Sequence, residues 1–304
     1  MGKTKKKHHI WGASYAVLLT AFTAYVLLDA FIIPKSFQRV DGDKTVYSSG
    51  NSSSKTSAAG TYTKSSYKDE NISITISSVR EYNTDIYIAD IELSSIEYLK
   101  AALAGDTFGR NIKETTSQMA QDHSAIFAIN GDYYGFRDDG FVVRNGILYR
   151  DTAQRDVSME DLVIYKDGSF GIVSEASADA SSLVSSGALQ VFSFGPSLLQ
   201  NGKLAVGTTA EVGRSKASNP RTGIGIINPL HYVAIVSDGR TSKSTGLSLY
   251  QLGSIFQKMG CSTAYNLDGG GSSTMWFNGS VVNNPTDGRS SGERRVSDIV
   301  YVGD

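Results

Sequence analysis

Apolar and polar positions divide this chain into three stretches. Residues 10–33 form a 24-residue apolar run whose only charge is Asp29, long enough to cross a bilayer as a helix. Residues 34–66 reverse the pattern. Ser, Gly, Thr and Lys dominate there with few apolar positions, which predicts a flexible linker. From residue 67 to 304 short apolar runs return, punctuated by Asx-Gly pairs, and a single folded domain is expected to occupy that span.

Within that domain the periodicity favours strands. Asn71-Ile-Ser-Ile-Thr-Ile76 alternates as a half-buried strand does, and residues 84–93 read as its neighbour. Ala125-Ile-Phe-Ala-Ile129 is continuously apolar, as in a strand covered on both faces. Hairpins are predicted through Asn145-Gly146, Asp167-Gly168 and Asn278-Gly279, with a further turn at Asn201-Gly202. Residues 223–227, 231–236 and 296–302 read as further strands. Two helices stand out. Residues 114–122 make a short one capped by Thr115 or Thr116. In the other, Ser248-Leu-Tyr-Gln251 has capping-box form, Leu249, Leu252, Ile255, Phe256 and Met259 share a face, and Gly260 ends it. The expected fold is α/β: one mixed-sheet domain with β-hairpin additions, preceded by one N-terminal transmembrane helix.

Charge and cysteine content refine the setting. Lys3, Lys5, Lys6 and Lys7 precede the apolar run. They predict residues 1–9 as a cytoplasmic tail, 10–33 as a signal-anchor, and residues 67–304 outside the cell. A cleaved signal peptide shares the basic start, but no small-x-small cleavage site precedes Pro34, so a retained anchor is expected. The net charge of −1 gives no reason to expect nucleic acid. Cys261 is the only cysteine, so no intramolecular disulfide can form. A disulfide-free exported domain suits a bacterial surface.

Candidate chemistry gathers where apolar runs end. Asn130-Gly131-Asp132, Ser237-Asp238-Gly239-Arg240 and Asn266-Leu267-Asp268-Gly269 each follow such a run, and strand ends can converge on one crevice. Taken singly, each Asx-Gly pair is equally an ordinary turn. The last motif continues through Gly270 and Gly271 to Ser272, Ser273 and Thr274, so a carboxylate is followed by bare amides and hydroxyls. Arg221, in Asn219-Pro-Arg-Thr222, offers the planar donor fork that suits phosphate. Tyr133 and Tyr134 could stack on a sugar ring. The four His show no ligand spacing. Oxygen donors at Asp132, Asp238 or Asp268 would suit Ca²⁺, but no cofactor is expected.

Asn266-Leu-Asp-Gly-Gly-Gly-Ser-Ser-Thr274, with Ala128-Ile-Asn-Gly-Asp-Tyr-Tyr134 and Asn219-Pro-Arg-Thr-Gly-Ile-Gly225, resembles the phosphodiester glycosidase family. That family includes the enzyme that removes N-acetylglucosamine from its phosphodiester to uncover mannose 6-phosphate. The resemblance covers residues 112–302. It implies hydrolysis of a sugar-1-phosphodiester, here in an envelope glycan or exopolysaccharide, leaving a phosphomonoester. Because that leaving group has a second pKa near ~6, it needs less help from an acid than an alcohol does. Asp268 is then the expected nucleophile or base, with Asp132 and Asp238 as acid–base or sugar-hydroxyl partners. Arg221 would hold phosphate. Asn130, Gly131, Arg144, Arg240, Gly269, Gly270, Ser272 and Arg295 complete the expected substrate-binding set. Two alternatives stay open: a non-catalytic phosphoglycan-binding protein, and a phosphodiesterase that cuts the P–O bond.

Overall fold

The computed structural model of the protein describes residues 3–37, 60–156, 158–210, 218–288 and 290–303. Most of the linker expected at residues 34–66 therefore lies outside the described residues. Helix α1 (Lys3–Phe31) contains the apolar span Trp11–Phe31, none of which the rest of the chain buries. It is long and apolar enough to cross a membrane.

The remainder mixes helix and sheet, with strands in the majority and no closed barrel. Every strand pairing among the described residues is antiparallel. A run buried on both faces, such as residues 125–129, does not reveal strand direction, and here Phe127–Asn130 pairs antiparallel with two strands from far along the chain, Met275–Phe277 and Asp298–Val302. The largest sheet has nine strands. At its centre Thr263–Leu267, Arg221–Asn228, His231–Ser237, Thr84–Leu93 and Ile72–Glu81 lie side by side. A five-stranded sheet places Phe127–Asn130 between Met275–Phe277 and Asp298–Val302. A second five-stranded sheet contains Val142–Arg144, Ala188–Phe192 and Glu160–Tyr165.

One core joins all three sheets. Ile91, Ile224, Tyr232 and Leu267 of the large sheet meet Phe127, Ile129 and Val300 of the first small sheet and Leu162 and Phe192 of the second. Helix α2 (Thr116–Asp122) covers the outer face of the first small sheet through Met119 and Ala120. A short helix, α3 (Ala180–Ser185), lies on the second. Helix α4 (Leu249–Lys258) covers the large sheet with Leu249, Leu252, Ile255 and Phe256. Its expected capping box is present, and Gly260 follows at φ 81°. The Asn-Gly turns at 145–146, 201–202 and 278–279 hold both residues at positive φ, as tight hairpins require.

Candidate active site

The expected strand ends do converge, across two sheets rather than along one edge. Asn130 is the fastener. Its Nδ2 donates to the Asp268 carbonyl at 2.7 Å, and its Oδ1 accepts from Thr222 Oγ1 at 2.8 Å and Thr274 N at 3.2 Å. Gly131 O accepts from Asp268 N at 3.2 Å. A side chain at Gly131 would collide with Asp298, since a methyl there would lie 2.4 Å from Asp298 Oδ1. Asn130 and Gly131 thus knit the site together from beneath.

Asp268 sits above this knot, surrounded by protein but still partly open to solvent. Burial pushes its carboxyl up to about 6, while Ser272, Arg294 and the Gly269 amide pull it back and Asp132 adds to the rise. Gly269 N donates to Asp268 Oδ1 at 2.9 Å and Gly270 N to Pro220 O at 2.8 Å, so both amides are spent within the fold. The glycines also make room. A methyl on Gly270 (φ 64°) would stand 2.9 Å from Arg240 Nη2, and one on Gly271 would stand 2.7 Å from Arg294 Nη2. A methyl on Gly269 would stand 2.9 Å from Pro220 O, with Arg221 Cδ in ordinary contact at 3.8 Å. Three guanidinium-bearing residues therefore pack along three consecutive glycines.

Each arginine is aimed by a neighbour. Arg221 is buried, with Nε donating to Leu247 O at 3.0 Å. Arg240, at φ 59°, holds Asn219 Oδ1 through Nε and Nη2 at 3.1 and 2.9 Å. Arg294 donates to Asp287 Oδ1 through Nε and Nη2 at 3.0 and 2.7 Å, an ion pair open to solvent on both sides. Arg295, expected at the site, is exposed, and its predecessor takes the place beside Gly271. The Arg294-Arg295 pair was visible in the sequence, but which of the two faces inward depends on the backbone path into Val296.

Asp132 is enclosed instead. Its Oδ1 accepts from Tyr134 N at 2.8 Å, its Oδ2 from Ser193 N at 3.1 Å, and Arg144 Nη2 lies 3.0 Å from Oδ2. Arg144, fully buried, also grips Asp298 Oδ2 through Nε at 2.9 Å and Nη2 at 2.7 Å, and stacks 4.1 Å over the Phe192 ring. Burial opposes ionisation of Asp132, but Arg144 and then Arg137 outweigh it and hold the carboxyl low. For Asp298 burial wins, and its carboxyl is pushed up to about 7 despite Arg144. Sequence reading missed Asp298; its signal is a carboxylate inside an otherwise apolar closing strand.

Asp238 is likewise occupied. Asn284 N donates to its Oδ1 at 2.8 Å, Asn284 Nδ2 to its Oδ2 at 2.9 Å, and Tyr87 Oη reaches Oδ2 at 3.4 Å. It anchors the segment that leads to Asp287. Ser272 is buried under the glycine turn, and Tyr133 is exposed and stacked on Phe136 at 4.9 Å. Among the described residues, no group of three His, Cys, Asp or Glu side chains is placed to hold a metal ion.

Comparison with known proteins bears on the family and the fold. The sequence profile of the phosphodiester glycosidase family matches residues 123–303. A curated relative, the SPbeta prophage-derived uncharacterized protein YomE of Bacillus subtilis (strain 168), is 33% identical over 200 residues. That match covers 64% of this chain and 30% of the relative, so this chain spans under a third of that protein's length. Among solved structures, the zebrafish N-acetylglucosamine-1-phosphodiester alpha-N-acetylglucosaminidase catalytic domain, auto-inhibited by its pro-peptide, superposes with a TM-score of 0.60 at 21% identity. The overlap is 77% of this chain and 83% of that one. A hypothetical protein from Synechocystis follows at 0.58 and 14%, covering 77% and 62%. At these identities the two structures speak to the fold alone.

Proposed function

Since the chain belongs to the phosphodiester glycosidase family, we propose that it hydrolyses a sugar-1-phosphodiester of an envelope glycan or exopolysaccharide, releasing sugar and a phosphomonoester. The observation that carries this reading is Asp268: a recessed, partly open carboxylate raised to about 6 beside glycines packed against Arg221, Arg240 and Arg294. A carboxylate in that range is matched to proton transfer near neutrality.

In this reading Asp268 takes a proton from water as the water oxygen bonds to the anomeric carbon. The C1–O bond breaks, its electron pair stays on the phosphate oxygen, and Arg221 with Arg294 holds the charge that develops there. Asp132 and Asp238, whose oxygens the protein already fills, position the surrounding turns. Tyr133 offers an exposed face to a sugar ring. Helix α1 anchors the protein as a single pass, with residues 1–9 in the cytoplasm and residues 67–304 outside.

Incubation with an aryl N-acetylglucosamine-1-phosphodiester in ¹⁸O-water tests the reaction. Label should enter the sugar. Label in phosphate would mean P–O cleavage, and binding without turnover would mean a phosphoglycan receptor.

A further inference from the structure

The end of α1 is built into the domain. The last carbonyls of a helix need partners from outside it, and here a residue of the folded domain supplies one. Asn111 Nδ2 donates to the main-chain oxygens of Ala30 and Ile33, both at 3.2 Å. The chain then runs antiparallel to the domain, with Lys35 opposite Arg110 and Ser36 opposite Gly109. Phe37 N donates to Phe108 O at 2.9 Å, and the two rings lie 6.0 Å apart. The sequence provides for this contact. A methyl on Gly109 would stand 2.0 Å from Lys35 O, so only glycine admits the approach. Asn111 takes the positive φ of 60° that asparagine tolerates.

Both rims of the candidate site rest on the same segment. On one side Phe108 stacks on Tyr134 at 5.3 Å, and Asn111 N donates to Gly135 O at 3.2 Å. Tyr134 in turn donates its N–H to Asp132. On the other side Glu114 exchanges backbone bonds of 3.0 and 2.7 Å with Val296, and Ser117 N donates to Glu293 Oε1 at 3.0 Å. Those two contacts bracket Arg294. Exposed Phe37 and Tyr133 flank this corner, and Lys113 Nζ lies 5.7 Å over the Phe136 ring. Aromatic and basic groups of this kind favour the headgroup layer.

We propose that the anchor is a working part of the domain: docked on residues 108–111, it holds the Asp268 site over the bilayer surface, where the substrate is a sugar-1-phosphodiester whose other end is fixed in the membrane. The chemistry of that substrate rests on the hydrolase reading above; the docking does not. Holding enzyme and substrate on one surface raises their effective concentration, whereas a domain free to swing would lose that advantage.

The test uses the full chain in phosphatidylglycerol-containing vesicles. Lys35→Cys with Arg110→Cys should form a disulfide under mild oxidation, because register partners fall within bridging distance; Cys261 is buried and should not compete. Asn111→Gly keeps the positive φ but removes both amide bonds. It should lower turnover of a vesicle-borne lipid–phosphate–sugar diester about tenfold, and leave a soluble diester within about twofold. Phe37→Ala, which lies outside the domain, should give the same split if Asn111→Gly lowers the melting temperature. Failure of the cross-link, or equal loss on both substrates, would overturn the proposal. A cross-link with no wild-type turnover of either diester would retain the docking and remove the hydrolase reading alone.

Discussion

Asp132 and Asp268 stand at two strand ends tied together by Asn130, yet they live in opposite surroundings. Tyr134 N, Ser193 N and Arg144 occupy the oxygens of Asp132, which is almost wholly buried and held ionised. Asp268 takes one amide from its own loop, keeps a face to solvent, and is pushed up to about 6. A carboxylate whose two oxygens are both engaged by the protein and enclosed by it has little to offer a substrate and serves as frame. One left partly unsatisfied beside arginines is free to react. In the sequence both look alike, as an acid next to glycine after an apolar run.

The comparison breaks most sharply under matched substitutions. Asp268→Asn should lower kcat/KM by about 10⁴-fold, roughly 5.5 kcal/mol of barrier, while the melting temperature holds or rises. Asp132→Asn should instead lower the melting temperature, with losses in activity that follow the folded fraction. Wild-type kcat/KM should also fall below about pH 6, as the proposed base takes up a proton. Equal behaviour of the two variants would end the distinction between frame and reacting group.

Arg144 sharpens the frame side. Asp132 and Asp298 share its guanidinium, and all three side chains are buried. Arg144→Met would leave two buried carboxylates without their cation, a loss of about 3–5 kcal/mol. The sign with pH follows from the removal of that cation. Both folded-state pKa values rise in the variant, so the folded chain retains protons that the unfolded chain releases. The deficit measured by urea unfolding should therefore be larger at pH 8 than at pH 5. An equal deficit at both would mean Arg144 acts through packing on Phe192 rather than charge.

Much of this was legible beforehand, for physical reasons that differ by residue. The Asn145-Gly146 and Asn278-Gly279 hairpins and the Ser248 cap are local, so three or four residues dictate them. The glycine run announced a tight turn, and Arg221 and Arg240 lie beside it, whereas Arg144, expected among the substrate-binding residues, is buried and spent on Asp132 and Asp298. The sequence did not show what the glycines admit: Gly270 and Gly271 lie against the Arg240 and Arg294 side chains, Gly269 against the Pro220 carbonyl, and two of their amides are spent within the fold. Nor could it separate Arg294 from Arg295, or reveal that residues 35–37 pair with residues 108–110. Those facts depend on strands far apart in the chain, whose register no local pattern fixes. Asp298, Asp161 and Glu175 escaped because each reads as one acid among many until the fold buries it.

Asp161 offers the mildest test of the same rule. It is fully buried in Glu160–Tyr165, and neither of its oxygens accepts from any donor among the described residues. Burial and the neighbouring Glu175 push its carboxyl up to about 10. Glu175 moves the other way. Burial opposes its ionisation, but bonds from Asp161, Gln154 N, Phe141 N and Ser193 Oγ outweigh that and hold it low. Two facing carboxyls bond only if one keeps a proton, and the opposite directions of the two shifts assign that proton to Asp161. The folded chain then holds a proton that the unfolded chain releases above about pH 4, so this site loses stability as pH rises toward 10. Asp161→Asn donates an amide to Glu175 in the same place and carries no such liability. It should be neutral near pH 4 and stabilising by about 1–3 kcal/mol at pH 8, below the full linkage limit because the amide oxygen stays unpaired. Urea unfolding at the two pH values decides it. A variant less stable than wild type at pH 8 would mean that Asp161 is ionised and paired, and that this corner, like Asp132, belongs to the saturated frame.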